Sequence, residues 1–127
     1  MSLYHYLVHL ETVLRSRQDI EVSVLQVDVI TIGAKFKAEL GFHDGSHLSI
    51  VEQLERVDQQ SFERAAYKYH YQDSQDNLIF RYDNSPHYPR LPTFPDHKHI
   101  GDTVVESQPP ELTDILAEID TIIYPDL

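Results

Sequence analysis

The residues able to act chemically are concentrated between Tyr67 and His99, in the run YKYHYQDSQDNLIFRYDNSPHYPRLPTFPDHKH. Four of the eight histidines (His70, His87, His97 and His99) lie there, with Lys68, Arg81 and Lys98 among them. Imidazole both accepts and releases a proton near neutral pH, so a group of histidines is a source of acid–base chemistry. A planar, permanently charged Arg81 and the point charges of Lys68 and Lys98 suit a phosphodiester and the negative charge that builds on it during cleavage. Asp83 and Asp96 can ligate a metal or fix the tautomer of a histidine. His97-Lys98-His99 is a His-x-His element, and on a strand its two imidazoles share one face. With His87, three imidazoles fall within thirteen positions. That is enough for a trigonal metal face or for paired acid–base groups, although the spacing matches no strict zinc pattern.

These residue types predict a site in which His87, His97, His99, Arg81 and Asp83 are catalytic, and Lys68, His70 and Lys98 contact the substrate. Among His87, His97 and His99, one takes the proton of a ribose 2′-hydroxyl and another delivers a proton to the leaving 5′-oxygen. Arg81 and Lys98 stabilise the phosphorane, and Asp83 orients a histidine or positions the loop. This reading is metal-independent and requires no cofactor. The alternative is a divalent ion held by His87, His97 and His99, in a hydrolase or a nucleotide-modifying enzyme. A third reading is non-enzymatic: an interaction module whose acidic terminal helix binds a basic partner. The blander possibility for the Arg81 face is a solvated, salt-bridged sheet surface, and convergence of the groups separates it from the others.

Charge sets this region apart from its flanks. Residues 1–63 carry five basic and ten acidic side chains, residues 64–100 five and four, and residues 101–127 none and seven. The net charge of −11 opposes nonspecific nucleic-acid binding by overall charge and leaves room for a local basic patch. There is no cysteine, which excludes disulfides and thiolate zinc sites and fits a reducing cytoplasm. At 127 residues and 41% apolar content the chain reads as one globular domain. No segment approaches a membrane span or a signal peptide, so the expected location is the cytoplasm. Glycine-rich phosphate loops, nucleophile elbows and kinase signatures are missing.

The elements that must position these groups follow from periodicity. Leu3, Tyr6, Leu7, Leu10, Val13 and Leu14 have helical spacing, which predicts an amphipathic helix over 2–15. Residues 21–32 read as a strand, and residues 35–42 alternate, with Phe36, Ala38, Leu40 and Phe42 on one face. A three-residue loop of Asp44, Gly45 and Ser46 pairs Phe42 with Leu48 and Leu40 with Ile50. After a polar connector over 55–63, strands at 64–73 and 78–84 form a second hairpin around Ser74–Asn77. That hairpin sets Tyr71 opposite Phe80 and Tyr69 opposite Tyr82 on the core side, and His70 beside Arg81 and Lys68 beside Asp83 on the other. Pro86, Pro89, Pro92 and Pro95 make the next stretch a loop, which would hold His87, His97 and His99 over the outer face. Residues 103–106 are a possible edge strand. A last helix begins with Pro109 and Pro110 in its first turn and ends before Pro125. The fold class is α+β: helix, about five mainly antiparallel strands, helix, with the helices on one sheet face.

Two segments, FRYDNSPHYP (Phe80–Pro89) and TFPDHKH (Thr93–His99), resemble the TumE family of toxin–antitoxin toxins. The resemblance covers roughly the C-terminal half and is strongest over 67–120. Relatives often carry a second histidine after the position of His87, where this chain has Tyr88. The resemblance implies a prokaryotic type II toxin whose antitoxin is a small helix-turn-helix protein. By analogy of size and element order it implies a ribonuclease acting on RNA.

Overall fold

The computed structural model describes residues 1–126. The chain forms α1 (Leu3–Arg15), then β1 (Ile20–Ile30), β2 (Gly33–Phe42), β3 (His47–Arg56), β4 (Phe62–Gln72), β5 (Leu78–Asp83), β6 (His97–Ile100) and β7 (Thr103–Glu106), and finally α2 (Leu112–Ile123). The strands make one antiparallel sheet in chain order, β1 to β7. The α+β class and the two terminal helices agree with the sequence, but there are seven strands where about five were expected. The difference is the β6–β7 hairpin, which turns the His-x-His element from loop into strand. Six-residue β5 pairs with β6 on the side away from β4, so it is not the sheet edge.

One face of the sheet is the core. Phe36, Ala38, Leu40, Phe42, Leu48, Ile50, Tyr67, Tyr69, Tyr71 and Phe80 pack there with Leu10 and Leu14 of α1 and Leu112, Ile115, Leu116 and Ile119 of α2. The alternation in β2 compels this arrangement, because its odd-numbered neighbours Lys35 and Lys37 remain in solvent. Both helices are capped by their own side chains. Ser2 accepts the His5 N–H at the start of α1. Glu111 and Asp114 form a capping box on α2, which therefore starts at Leu112 rather than at the prolines before it. Arg17 joins the two helix-end regions, donating to Asp19 and to Asp120.

The hairpin registers show how turn chemistry adjusts a pattern. Phe42 pairs with Ser46, Leu40 with Leu48 and Ala38 with Ile50. The loop is thus His43, Asp44 and Gly45, still three residues but one step earlier than expected. Gly45 takes a positive φ of 86°, and Asp44 accepts from both the N–H and the hydroxyl of Ser46. The apolar face survives because the pairing moves by two residues. The His43 ring lies against Tyr124, and His47 bonds to Gln72 and Asp76. In the second hairpin the expected pairs Tyr71–Phe80, Tyr69–Tyr82, His70–Arg81 and Lys68–Asp83 are all present. Its loop is one residue shorter, with Asp73 closing on Asn77, and a bulge beside Tyr71 restores the register. The remaining boundaries differ by a residue or two, and the connector between β3 and β4 shrinks to residues 57–61.

Candidate active site

The face away from the helices carries the predicted outer residues in two adjacent cross-strand rows. One row reads Ser49, His70, Arg81, His99 and Val104 from β3 to β7. The other reads Lys37, Val51, Lys68, Asp83, His97 and Glu106 from β2 to β7. His70 and His99 therefore flank Arg81 on neighbouring strands, with Cα atoms roughly 10 Å apart, twice the interstrand spacing.

Asp83 is the hub. It is 2% exposed, and each carboxylate oxygen accepts one N–H: Oδ2 from Arg81 Nε at 2.9 Å, and Oδ1 from the Ser85 backbone at 2.9 Å. His97 Nε2 is 3.0 Å from Oδ1, and His99 Nε2 is 3.4 Å from Oδ2. The two Nε2 atoms are 3.1 Å apart. His97 is itself 1% exposed, and its Nδ1–H donates to the Pro95 carbonyl at 2.9 Å. Because a carbonyl only accepts, the proton on Nδ1 is assigned by chemistry. Burial pushes the Asp83 carboxyl up, but the Arg81 and Ser85 hydrogen bonds and the nearby His97 outweigh it and hold it below its usual range. His99 is shifted down, chiefly by burial and then by Arg81, with Asp83 opposing. His70 is also shifted down, by burial first and then by Arg81 and Lys68.

The predicted residues divide into three groups. Arg81, Asp83, His97 and His99 converge, and His70 and Lys68 border them on β4. His87 does not join: it is exposed on the loop, in a recess with Pro89, Arg90 and Leu91. Lys98 points the other way. As the middle residue of His-x-His it faces the helices, donating to Glu118 at 2.7 Å and lying over the Tyr82 ring at 4.8 Å. Strand alternation, unseen while this segment read as loop, separates it from Arg81. Asp96 accepts the Tyr67 hydroxyl and stays outside the group.

Tyr88 is the participant that residue-type reasoning missed. Its ring meets His97 edge-on at 4.8 Å and His99 at 5.8 Å, covering both imidazoles from the loop. Its residue type carries no acid–base signature, so only the packing reveals it. A second buried polar group lies on the core face: Glu52 accepts hydroxyl hydrogen bonds from Tyr6 and Tyr69, and Arg64 donates to Tyr69.

The arrangement offers a guanidinium and a lysine for an anion, with two accessible imidazoles on either side and a buried Asp–His pair behind one of them. No helix among the described residues is long and apolar enough to cross a membrane. The family model described as Toxin TumE matches residues 9–123, well beyond the C-terminal half that carries the motif resemblance. No curated protein and no solved structure matches the chain.

Proposed function

The chain belongs to the TumE toxin family, and from that premise we propose that it is the toxin of a toxin–antitoxin pair that cleaves RNA on the open face of its sheet. The family implies an antitoxin partner; a small helix-turn-helix protein is the proposed form of it, and the cytoplasm the proposed site of action, with the whole activity carried by one α+β domain. The observation that carries the ribonuclease reading is the register His70–Arg81–His99. A phosphodiester seated on Arg81 and Lys68 has one imidazole on each side, which is what a transfer with a separate base and acid requires.

His97 and His99 cannot be that separate pair, since Nε2 atoms 3.1 Å apart leave no room for a phosphate between them. In the proposed mechanism His70 is the base. It lacks a carboxylate partner among the described residues, and burial with Arg81 and Lys68 nearby lowers its proton affinity, which favours the neutral form a base needs. It takes the 2′-hydroxyl proton as the 2′-oxygen bonds to phosphorus. His99 is the acid: Asp83 lies beside its Nε2 and favours its protonated form against burial, Arg81 and His97, and its Nδ1–H protonates the departing 5′-oxygen. The products are a 2′,3′-cyclic phosphate and a free 5′-hydroxyl. Arg81 stabilises the phosphorane. Asp83 and His97 are positioning residues.

The test is conditional expression of the chain with and without its antitoxin. The wild type should arrest growth and leave RNA ends bearing 2′,3′-cyclic phosphate. A folded variant carrying His70→Ala and His99→Ala should do neither. Growth arrest by that variant removes the mechanism.

A further inference from the structure

We propose that Asp83, His97 and His99 form a binding site for one divalent transition-metal ion, and that an ion there switches the toxin off. The binding claim rests on the three side chains alone, and the inhibitory consequence rests on the ribonuclease reading above.

The argument begins with the assigned proton on His97. With Nδ1–H given to the Pro95 carbonyl, a neutral ring presents its Nε2 lone pair to Asp83 Oδ1 at 3.0 Å, and two acceptors then face each other inside the protein. Something positive must lie between them. A proton satisfies that requirement by making His97 an imidazolium, and a metal ion satisfies it as well. One ligand atom from each of Asp83, His97 and His99 lies within 4.8 Å of the other two. His97 Nε2 lies 3.0 Å from Asp83 Oδ1 and 3.1 Å from His99 Nε2, which lies 3.4 Å from the other carboxylate oxygen, Oδ2, and each separation has the size found between ligands of one ion. Ligand atoms about 2.1 Å from a metal are about 3.0 Å apart at right angles and about 3.4 Å apart at the tetrahedral angle.

The surroundings are those of a held site. Ligating histidines usually give their other ring N–H to a carbonyl or carboxylate, as His97 does to Pro95, and ligating carboxylates are themselves hydrogen-bonded, as Asp83 is to Arg81 and Ser85. Two of the ligands are almost fully buried, and His99 at the mouth provides the way in. Two imidazoles and one carboxylate select borderline ions such as Zn²⁺ over Mg²⁺ or Ca²⁺, which prefer oxygen. His87, named in the sequence reading as a ligand, is replaced by Asp83.

An ion on Nε2 changes what His99 can do. The ring keeps its Nδ1–H but can no longer become an imidazolium, so it is a far weaker acid toward the leaving oxygen. The positive charge also sits beside Arg81, at the centre the substrate must use.

The experiment uses the full chain stripped with a chelator and then titrated calorimetrically with Zn²⁺, with Mg²⁺ in parallel. One Zn²⁺ per chain should bind, the melting temperature should rise, and Mg²⁺ should give no saturable heat. His99→Ala, partly exposed and therefore the variant most certain to fold, should weaken Zn²⁺ binding at least tenfold, and His87→Ala should leave it unchanged. Absence of stoichiometric binding by folded wild type, or unaltered binding in folded His99→Ala, overturns the site. Cleavage of RNA should fall with bound Zn²⁺ and return with EDTA. Cleavage that persists when the site is full, or that requires the ion, overturns the switch. A chain that binds Zn²⁺ through His99 yet cleaves no RNA in either state keeps the site and removes the ribonuclease reading.

Discussion

Glu52 and Asp83 are carboxylates buried in strands of the same sheet, one on each face, at 0% and 2% exposure. Glu52 sits under α1 and receives two phenolic hydroxyls, from Tyr6 and Tyr69. Both donors are held far above their ordinary range, by burial first and then by the Glu52 charge itself, so they do not titrate under any ordinary condition. Asp83 receives Arg81 and a backbone N–H, and beside it stand two imidazoles, one of which reaches solvent. Burial alone does not mark a functional carboxylate. The neighbours differ: the partners of Glu52 have a fixed charge state, whereas Asp83 stands beside two imidazoles, groups able to exchange protons, one of them at the solvent edge.

The sharpest separation of the two faces is kinetic. His70→Ala should lower kcat/KM for a short RNA by about 10²–10⁴-fold, the value of one acid–base group, and leave the melting temperature near that of wild type. The pH profile adds a sign. A base works only when neutral, and His70 is shifted below the ordinary histidine value, so wild-type kcat/KM should rise with pH through a point below that value and fall again as His99, the acid, loses its proton. The His70→Ala variant should lack the rising limb; a profile identical in the two proteins places the base elsewhere.

Next in size is the other face. Glu52→Ala leaves the Tyr6 and Tyr69 hydroxyls without their acceptor, at a cost of about 1–3 kcal/mol for each buried group left unpaired. Urea unfolding should show a loss of roughly 2–4 kcal/mol, while the folded fraction cleaves at the wild-type rate. A Glu52 variant that folds normally and loses cleavage would place chemistry on the helix-covered face and break the contrast.

Lysines 68 and 98 give a smaller effect with opposite readouts. Lys68→Ala should raise KM several-fold with little change in stability, as loss of one exposed phosphate contact worth about 1 kcal/mol. Lys98→Ala should cost about 1 kcal/mol of stability by removing its contact with Glu118, and leave KM unchanged.

The smallest effect lies at the helix ends. Asp19 is lowered to about 2, chiefly by the Arg17 hydrogen bond. A carboxylate depressed in the folded state adds stability above its unfolded pKa and loses it as pH falls through the folded value. The wild type should therefore lose denaturant resistance between about pH 4 and pH 2 more steeply than Asp19→Asn, and equal slopes in the two proteins would rule out that linkage.

Much of the scaffold was legible because local physics set it. Period-3.6 spacing located both helices, and period-2 alternation located β2 to β5 and sorted Tyr69 and Tyr71 into the core. The pairs His70–Arg81 and Lys68–Asp83 followed from the same parity. Three features were not legible. The first hairpin depended on Gly45 and Asp44 forming the turn, a choice between registers that bury the same face. β6 is four residues long and lies among prolines, so its strand character comes from pairing with β5 and β7, which no local pattern encodes. Tyr88 carried no acid–base signature of its own and enters only by packing on the imidazoles.

From the sequence by itself came the toxin family resemblance, the α+β class and the concentration of imidazoles and cations between Tyr67 and His99, because composition, motif and periodicity are properties of the chain. The tertiary structure alone determined which of those groups meet. Pairing β5 with β6 brought Arg81 opposite His99 and Asp83 opposite His97, sent Lys98 through to the helix side and left His87 in the loop. Cross-strand neighbours are distant in sequence, and only the hydrogen-bond ladder between strands makes them adjacent.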